Sequence, residues 1–226
     1  MSVTEKPTLA IIIGSIRPDR FGPTPASWLA EEAQLHGSFD VDLIDLGDYA
    51  LPMELAGDDP AATPPAGVLR LGERLAAADA FVLVTPVYNR SYSAALKTAI
   101  DWFYAEWALR PVSFVSYGGN TGGLTSIEHL RGIFPEFPSV TVKNFISLPD
   151  FWKLFDHDGT PVDREGLRER AAAVLDELAW WAPMLRDARA SRPYPGLDFA
   201  AAPNGEDRTD SGEVQAADLT PAAASA

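Results

Sequence analysis

Leu9-Ala10-Ile11-Ile12-Ile13-Gly14-Ser15-Ile16-Arg17-Pro18-Asp19-Arg20-Phe21-Gly22 is the stretch on which the fold turns. Its apolar start runs without polar interruption and stops at a glycine. Continuous rather than alternating apolarity marks a strand buried on both faces. Residues 14–22 follow as a polar loop punctuated by Gly and Pro. A helix is expected over 24–35, with Thr24 as N-cap, Pro25 at the first helical position, and Ala26, Leu29, Ala30 and Ala33 at helical spacing.

The same rhythm continues outward. Val41, Leu43 and Ile44 make a second strand, followed by a stretch over 48–65 rich in Pro, Gly and Asp. A helix over 68–77 leads to a second unbroken apolar run, 80–85, ended by Pro86. Residues 94–107 read as a helix and 111–116 as a fourth strand, stopped by Tyr117-Gly118-Gly119. A helix over 124–134, a fifth strand over 140–145 and a long helix over 163–186 complete the series. On that last helix Leu167, Ala171, Val174, Leu175, Leu178 and Trp181 share one stripe. Strands alternating with helices give parallel strands joined by right-handed crossovers. The expected fold class is α/β: a flavodoxin-like doubly wound five-stranded parallel sheet, order 2-1-3-4-5, with helices on both faces. Ligands bind such sheets beyond the carboxyl ends of the strands, near the reversal of strand order.

The chain has 226 residues, which suits one domain with an appendage. It has no cysteine, excluding a disulfide scaffold, a thiolate zinc site, an iron–sulfur cluster and a cysteine nucleophile. With 18 Lys and Arg against 32 Asp and Glu, the formal charge is −14. Such a surface repels phosphate backbones and anionic lipid, so neither nucleic acid nor a membrane is an expected partner. The sequence shows no run long enough to span a bilayer and no apolar segment behind a basic start, so a cytoplasmic protein is expected. Beyond Leu197 and Phe199 large apolar residues almost vanish. The expected organisation is a folded domain over 1–191 and a disordered acidic tail over 192–226.

Three loops follow strands one, three and four. The first, 14–22, offers hydroxyl, guanidinium and backbone N–H donors just ahead of a helix N-terminus, which together suit an anion, above all phosphate. It lacks the Walker and dinucleotide fingerprints, and the bland alternative is a polar connector with solvated arginines. The second, Thr85-Pro86-Val87-Tyr88-Asn89-Arg90-Ser91, places an aromatic ring and an amide at a strand end. Tyr88 can stack on a flat ring and Asn89 can read ring-edge polar atoms; otherwise this is an ordinary turn. The third, Ser116-Tyr117-Gly118-Gly119-Asn120-Thr121-Gly122-Gly123, lets backbone approach a ligand closely and use positive φ. Other candidates have simpler readings. His36, His129 and His157 lack metal-ligand spacing, Asp156-His157-Asp158-Gly159 suits a turn, Lys97 and Asp101 suit a surface pair, and Trp180 and Trp181 suit helix packing.

Gly14-Ser15-Ile16-Arg17, Thr85-Pro86-Val87-Tyr88-Asn89 with 95–102 (Ala-Leu-Lys-Thr-Ala-Ile-Asp-Trp), and Ser116-Tyr117-Gly118-Gly119 resemble the NADPH-dependent FMN reductase family over about residues 9–184. Its members are flavodoxin-like flavoproteins that include quinone, azo-dye and chromate reductases. The resemblance implies FMN as cofactor and NAD(P)H as donor, with electrons passing on to a quinone, free flavin, azo dye or similar small acceptor. It implies FMN-phosphate contacts at Ser15 and Arg17, in a loop completed by Arg20 and Gly22. Arg20 stands where many members carry a small hydroxyl residue. Pro86, Val87, Tyr88 and Asn89 match the flavin-flanking segment, and Ser116, Gly118 and Gly119 the loop at the pyrimidine edge. Val87 stands where many members have Glu, and Thr98 where they have Asn. No side-chain acid or base is expected, since cofactor chemistry and backbone donors suffice. A homodimer or homotetramer is implied. Two other readings remain: a non-enzymatic flavodoxin-like electron carrier, and a phosphate-ligand binding module without flavin.

Overall fold

A computed structural model describes residues 5–55, 63–195 and 197. The elements are β1 (Thr8–Ile13), α1 (Pro23–His36), β2 (Asp40–Asp45), α2 (Ala66–Ala77), β3 (Ala80–Pro86), α3 (Ala94–Trp102), β4 (Pro111–Gly118), α4 (Leu124–Ile133), β5 (Val140–Thr141), β6 (Ile146–Pro149) and α5 (Arg164–Ser191). The sheet is parallel in the order β2-β1-β3-β4-β5, with β6 also paired to β4. This is the doubly wound, flavodoxin-like order that the apolar runs predict.

Every residue of β3 and β4 is buried, which explains why their sequences run apolar without alternation. Leu9, Ile11, Ile13, Val82, Val84, Val115 and Tyr117 pack toward α1 and α5. Ala10, Ile12, Phe81, Leu83, Val112 and Phe114 pack toward α2, α3 and α4 on the other face. The stripe on α5 buries Leu167, Ala171, Val174, Leu175 and Leu178, with Ala182 as its last fully covered member. Trp181 is only half-buried against the core, and Trp180 is 62% exposed.

Several boundaries depart from expectation for identifiable reasons. α1 starts at Pro23, with Gly22 rather than Thr24 as N-cap. Proline's fixed φ and missing N–H suit the first turn, so no hydroxyl cap is needed. α3 stops at Trp102, not near Trp107. The Trp107 ring is fully buried against Phe81 and Phe134, at 4.8 and 5.8 Å between centroids, and its Nε1 donates to the Ile100 carbonyl at 3.2 Å. That bond satisfies a helix-end acceptor while the chain turns to bury a large ring. β4 continues to Gly118, because Tyr117 and Gly118 pair with Leu148 and Pro149 of β6. Of the expected fifth strand, 140–145, only Val140–Thr141 pairs, and a further strand, β6, begins at Ile146. Between them the Glu177 carboxylate accepts the N–H groups of Lys143 and Asn144 at 2.9 and 2.8 Å, drawing backbone polar groups off the ladder. α5 runs through Pro183 to Ser191, five residues past the expected end. The Asp156 carboxylate accepts from Asp158 N and Thr160 N, as expected of a turn, and Lys97 Nζ donates to Asp101 at 2.6 Å. Apart from 192–195 and 197, the expected acidic tail lies outside the described residues.

The amino edge of the sheet is closed by charge. Asp79 accepts Thr8 N at 3.1 Å and Arg189 Nη2 at 2.8 Å, with Arg186 Nη1 at 3.5 Å. Arg110, also buried, donates to the carbonyls of Ala76, Ala78, Ala105 and Ala108. Burial lowers the pKa of both Arg110 and Arg189 from the usual guanidinium value. Removing the carboxylate leaves buried cationic charge without its partner. Asp79→Ala is expected to lower stability by about 3–5 kcal/mol, measured as a fall in chemical-denaturation midpoint.

Candidate functional site

At the opposite, carboxyl edge, β1, β3 and β4 deliver the three loops to one place. Gly14 donates its N–H to Val84 O at 2.8 Å, and a Cβ there would meet the Val84 carbonyl at 3.1 Å and Leu96 at 3.2 Å. Ser93 caps α3 by accepting Leu96 N at 3.2 Å while its hydroxyl donates to Gly14 O. One side chain thereby ends a loop and starts a helix.

Beyond Gly14, Ser15 is fully buried, with its Oγ 3.1 Å from the Tyr117 hydroxyl. Phe21 anchors the loop in an aromatic cluster, 5.5 Å from Tyr117, 4.5 Å from Phe151 and 5.6 Å from Phe155 between centroids. Among the described residues no protein acceptor takes the backbone N–H of Ile16, Arg17, Asp19, Arg20 or Phe21. A row of free donors ahead of a helix is an anion cradle. Arg20 pairs with Asp45, while its buried Nε finds no partner among the described residues. Arg17 is exposed, its guanidinium 5.9 Å from the Tyr88 ring centre.

The second loop is a two-residue turn. Tyr88 N donates to Ser91 O at 2.7 Å, and Ser91 N returns to Tyr88 O at 3.0 Å. Asn89 and Arg90 both have positive φ, 49° and 71°. Asparagine tolerates that region, but arginine there costs about 1–2 kcal/mol. The strained tip is tied to α4 by Ser91 Oγ and His129 Nδ1, 3.0 Å apart. Val87, Tyr88, Asn89 and Arg17 line one cavity of about 460 Å³. Pro86 is buried beneath it.

In the third loop the glycines divide by role. Positive φ falls on Gly122 and Gly123, at 58° and 82°, not on Gly118 or Gly119. A Cβ on Gly118 would sit 2.4 Å from Val87 Cγ1, so that glycine is required by packing within the protein. Gly119 is different: a Cβ there would meet nothing within 4 Å. Ser116 is buried and donates to Gly122 O at 2.7 Å, pinning the loop. Burial holds the Tyr117 phenol well above its ordinary pKa, at about 12.

Arg17, Val87, Tyr88 and Asn89 thus converge on one cavity. Ser15, Gly22 and Tyr117 meet beneath the first loop, where a Cβ on Gly22 would lie 2.7 Å from Ser15 Oγ. The hydroxyls of Ser15 and Ser116 already have partners, and Arg20 is held by Asp45. Sequence reasoning left Asp45 unremarked and gave Phe21, Tyr117 and His129, though quoted, none of these contacts. Their roles rest on contacts with distant segments and left no local signal.

Free backbone N–H groups ahead of a helix, the Tyr88 ring and an open Gly119 thus meet at the switch point of a doubly wound sheet, where folds of this class bind ligands. Residues 7–153 match the NADPH-dependent FMN reductase family, and the chain belongs to it. It is an NAD(P)H-dependent FMN oxidoreductase. An NAD(P)H-dependent FMN reductase of Schizosaccharomyces pombe is 36% identical over 151 residues, spanning 60% of this chain and 74% of that protein. A 2-hydroxy-1,4-benzoquinone reductase of a Burkholderia species is 30% identical over 198 residues, covering 80% of this chain and 97% of the relative. The NAD(P)H:acceptor oxidoreductase FerB of Paracoccus denitrificans has a similar structure, with a TM-score of 0.66 and 26% identity over 79% of this chain and 98% of that one. The donor set fits FMN: unpartnered N–H groups and an orphaned guanidine nitrogen suit its phosphate, and Tyr88 and Asn89 suit its ring. Gly119→Val is expected to leave the melting temperature within about 2 °C of the parent but to lose flavin, read by absorbance. Gly122→Val, at positive φ, should lower stability by at least about 1 kcal/mol.

Proposed function

We propose that the 14–22 loop holds the FMN phosphate through its backbone N–H groups, Ser15, Arg17, Arg20 and Gly22. The ring then lies between Pro86, Val87, Tyr88 and Asn89 on one side and Ser116, Gly118 and Gly119 on the other. The observation that carries this reading is the convergence of Arg17, Val87, Tyr88 and Asn89 on one cavity beside the cradle. FMN, when bound, supplies the chemistry that accepts hydride from NAD(P)H and passes electrons to an acceptor. The protein's part is to orient and to leave access. Tyr88 offers a stacking face, Asn89 an amide for ring-edge atoms, and Arg17 a cation for electronegative oxygen.

A quinone is the acceptor class we propose: a flat ring that can stack on the open face of the bound flavin. The quinone-reductase relative supports the same choice. The relatives that are NAD(P)H-dependent reductases favour an enzyme over a carrier whose flavin meets only protein partners. We further propose a homodimer or homotetramer. Exposed Trp152, Trp180 and Met184, at 57%, 62% and 42%, support association.

Two measurements test the reading. Anaerobic mixing with NADPH or NADH should bleach the flavin band at a rate that saturates with nucleotide, and a quinone should restore the band. A rate rising linearly without saturation favours the carrier. Arg17→Ala should weaken FMN binding by about 10- to 150-fold, the worth of a charge-assisted contact; unchanged affinity removes Arg17 from the phosphate site.

A further inference from the structure

Tyr117 touches each of the three site loops, and nothing in the proposed chemistry uses it. Its hydroxyl lies 3.1 Å from Ser15 Oγ in the first loop. Its carbonyl accepts Val87 N at 3.0 Å in the second. Its own chain continues into Gly118 and Gly119 of the third. It reaches Ser15 from β4 across β3, and 102 residues of sequence separate the two. Both are buried, Tyr117 at 4% exposure and Ser15 at 0%.

The ring is held from two sides, edge-on to Phe21 at 5.5 Å and to Phe151 at 5.4 Å. A buried phenol so clamped points its hydroxyl in one direction. Where it points, a Cβ on Gly22 would come within 3.0 Å, so the hydroxyl stands under both ends of the loop, Ser15 and Gly22. Its proton is retained throughout the working pH range, since burial raises its pKa to about 12. The pair therefore stays neutral, and either hydroxyl can donate to the other. A buried hydroxyl pair of this kind fixes geometry, because breaking it strands two polar groups away from water.

We propose that Tyr117 is a positioning residue for the phosphate end of the flavin site, holding the 14–22 loop through Ser15 so that its free N–H groups stay aimed at one anion. This rests on the reading that the loop binds the FMN phosphate. The consequence is selective. Removing the phenol oxygen loosens the cradle for phosphate, while Tyr88, Asn89 and Gly119, which face the ring, keep their places. Tyr117 should therefore matter for FMN and not for riboflavin, which carries the same ring without a phosphate.

Full-length apoprotein titrated with FMN and with riboflavin tests this. The parent should bind FMN more tightly than riboflavin; if it does not, the phosphate reading itself fails. Tyr117→Phe keeps the ring and its aromatic contacts. It should weaken FMN by about 3- to 10-fold, the range of one neutral hydrogen bond, and leave riboflavin within about 2-fold. Ser15→Ala should weaken FMN at least as much, and Tyr117→Phe should add nothing in that background, since the two hydroxyls act as one unit. Equal losses for FMN and riboflavin in Tyr117→Phe would show a merely structural phenol and overturn the proposal. So would an FMN affinity unchanged from the parent, or losses from the two substitutions that simply add. If Tyr117→Phe proves too unstable to titrate, amide hydrogen exchange of the Ser15→Ala apoprotein decides: loss of the hydroxyl pair must speed exchange over residues 16–21, and unchanged exchange overturns the proposal.

Discussion

Burial of the central strands on both faces is the constraint from which the rest follows. β3 and β4 have no exposed residue, so their side chains face the interior, their few hydroxyls are bonded within the protein, and their backbone is consumed by the ladder. Polar chemistry can then emerge only at the two edges. At the amino edge the Asp79, Arg186, Arg189 and Arg110 cluster satisfies itself and fastens α5 to the sheet. At the carboxyl edge the strands end in loops whose donors are left over. One edge is a lock and the other a site, and parallel strands guarantee that all the leftover donors face the same way.

The proposed phosphate site lies in a protein with a formal charge of −14. Some of the acidic groups are already paired, as Asp42 is with Arg74 and Asp45 with Arg20. Around the first loop the attraction comes from short-range backbone dipoles and from Arg17, which act within a few ångströms, whereas the net charge is screened over about 8–10 Å. Local donors therefore outweigh the global field. Rigidity comes from apolar contact: Phe21 seated among Tyr117, Phe151 and Phe155 holds a polar loop still, so little entropy is lost when it closes on a ligand. The segment around Phe151 and Phe155 joins the sheet to α5, and Tyr117 shares a buried cluster with that helix, so α5 backs the site.

Much of this was legible beforehand. The unbroken apolar runs at 9–13 and 80–85 reveal double-sided burial, and their alternation with helices gives a parallel sheet that suits the order 2-1-3-4-5. The three loops stand out because Gly, Pro, Arg and Asn follow directly on such runs. Boundaries were less legible where a distant partner decided them. α3 gives way before Trp107 because a core pocket beside Phe81 and Phe134 takes that ring. The fifth strand ends early because Glu177, on a helix that follows it, captures two of its expected N–H groups.

The sequence by itself determined the α/β class, the sheet order, the three loops and the family, because periodicity and motif spacing are properties of contiguous residues. Only the tertiary structure decided how residues within those loops divide the work. Four glycines that look alike in sequence separate into Gly118, excluded from a side chain by Val87, Gly122 and Gly123, fixed by positive φ, and Gly119, open on its Cβ side. Ser15 acquires Tyr117 as its partner, and Arg20 acquires Asp45. These roles depend on distances between segments far apart in the chain. Such distances exist only once the two cores have packed against the sheet and fixed the loops relative to one another.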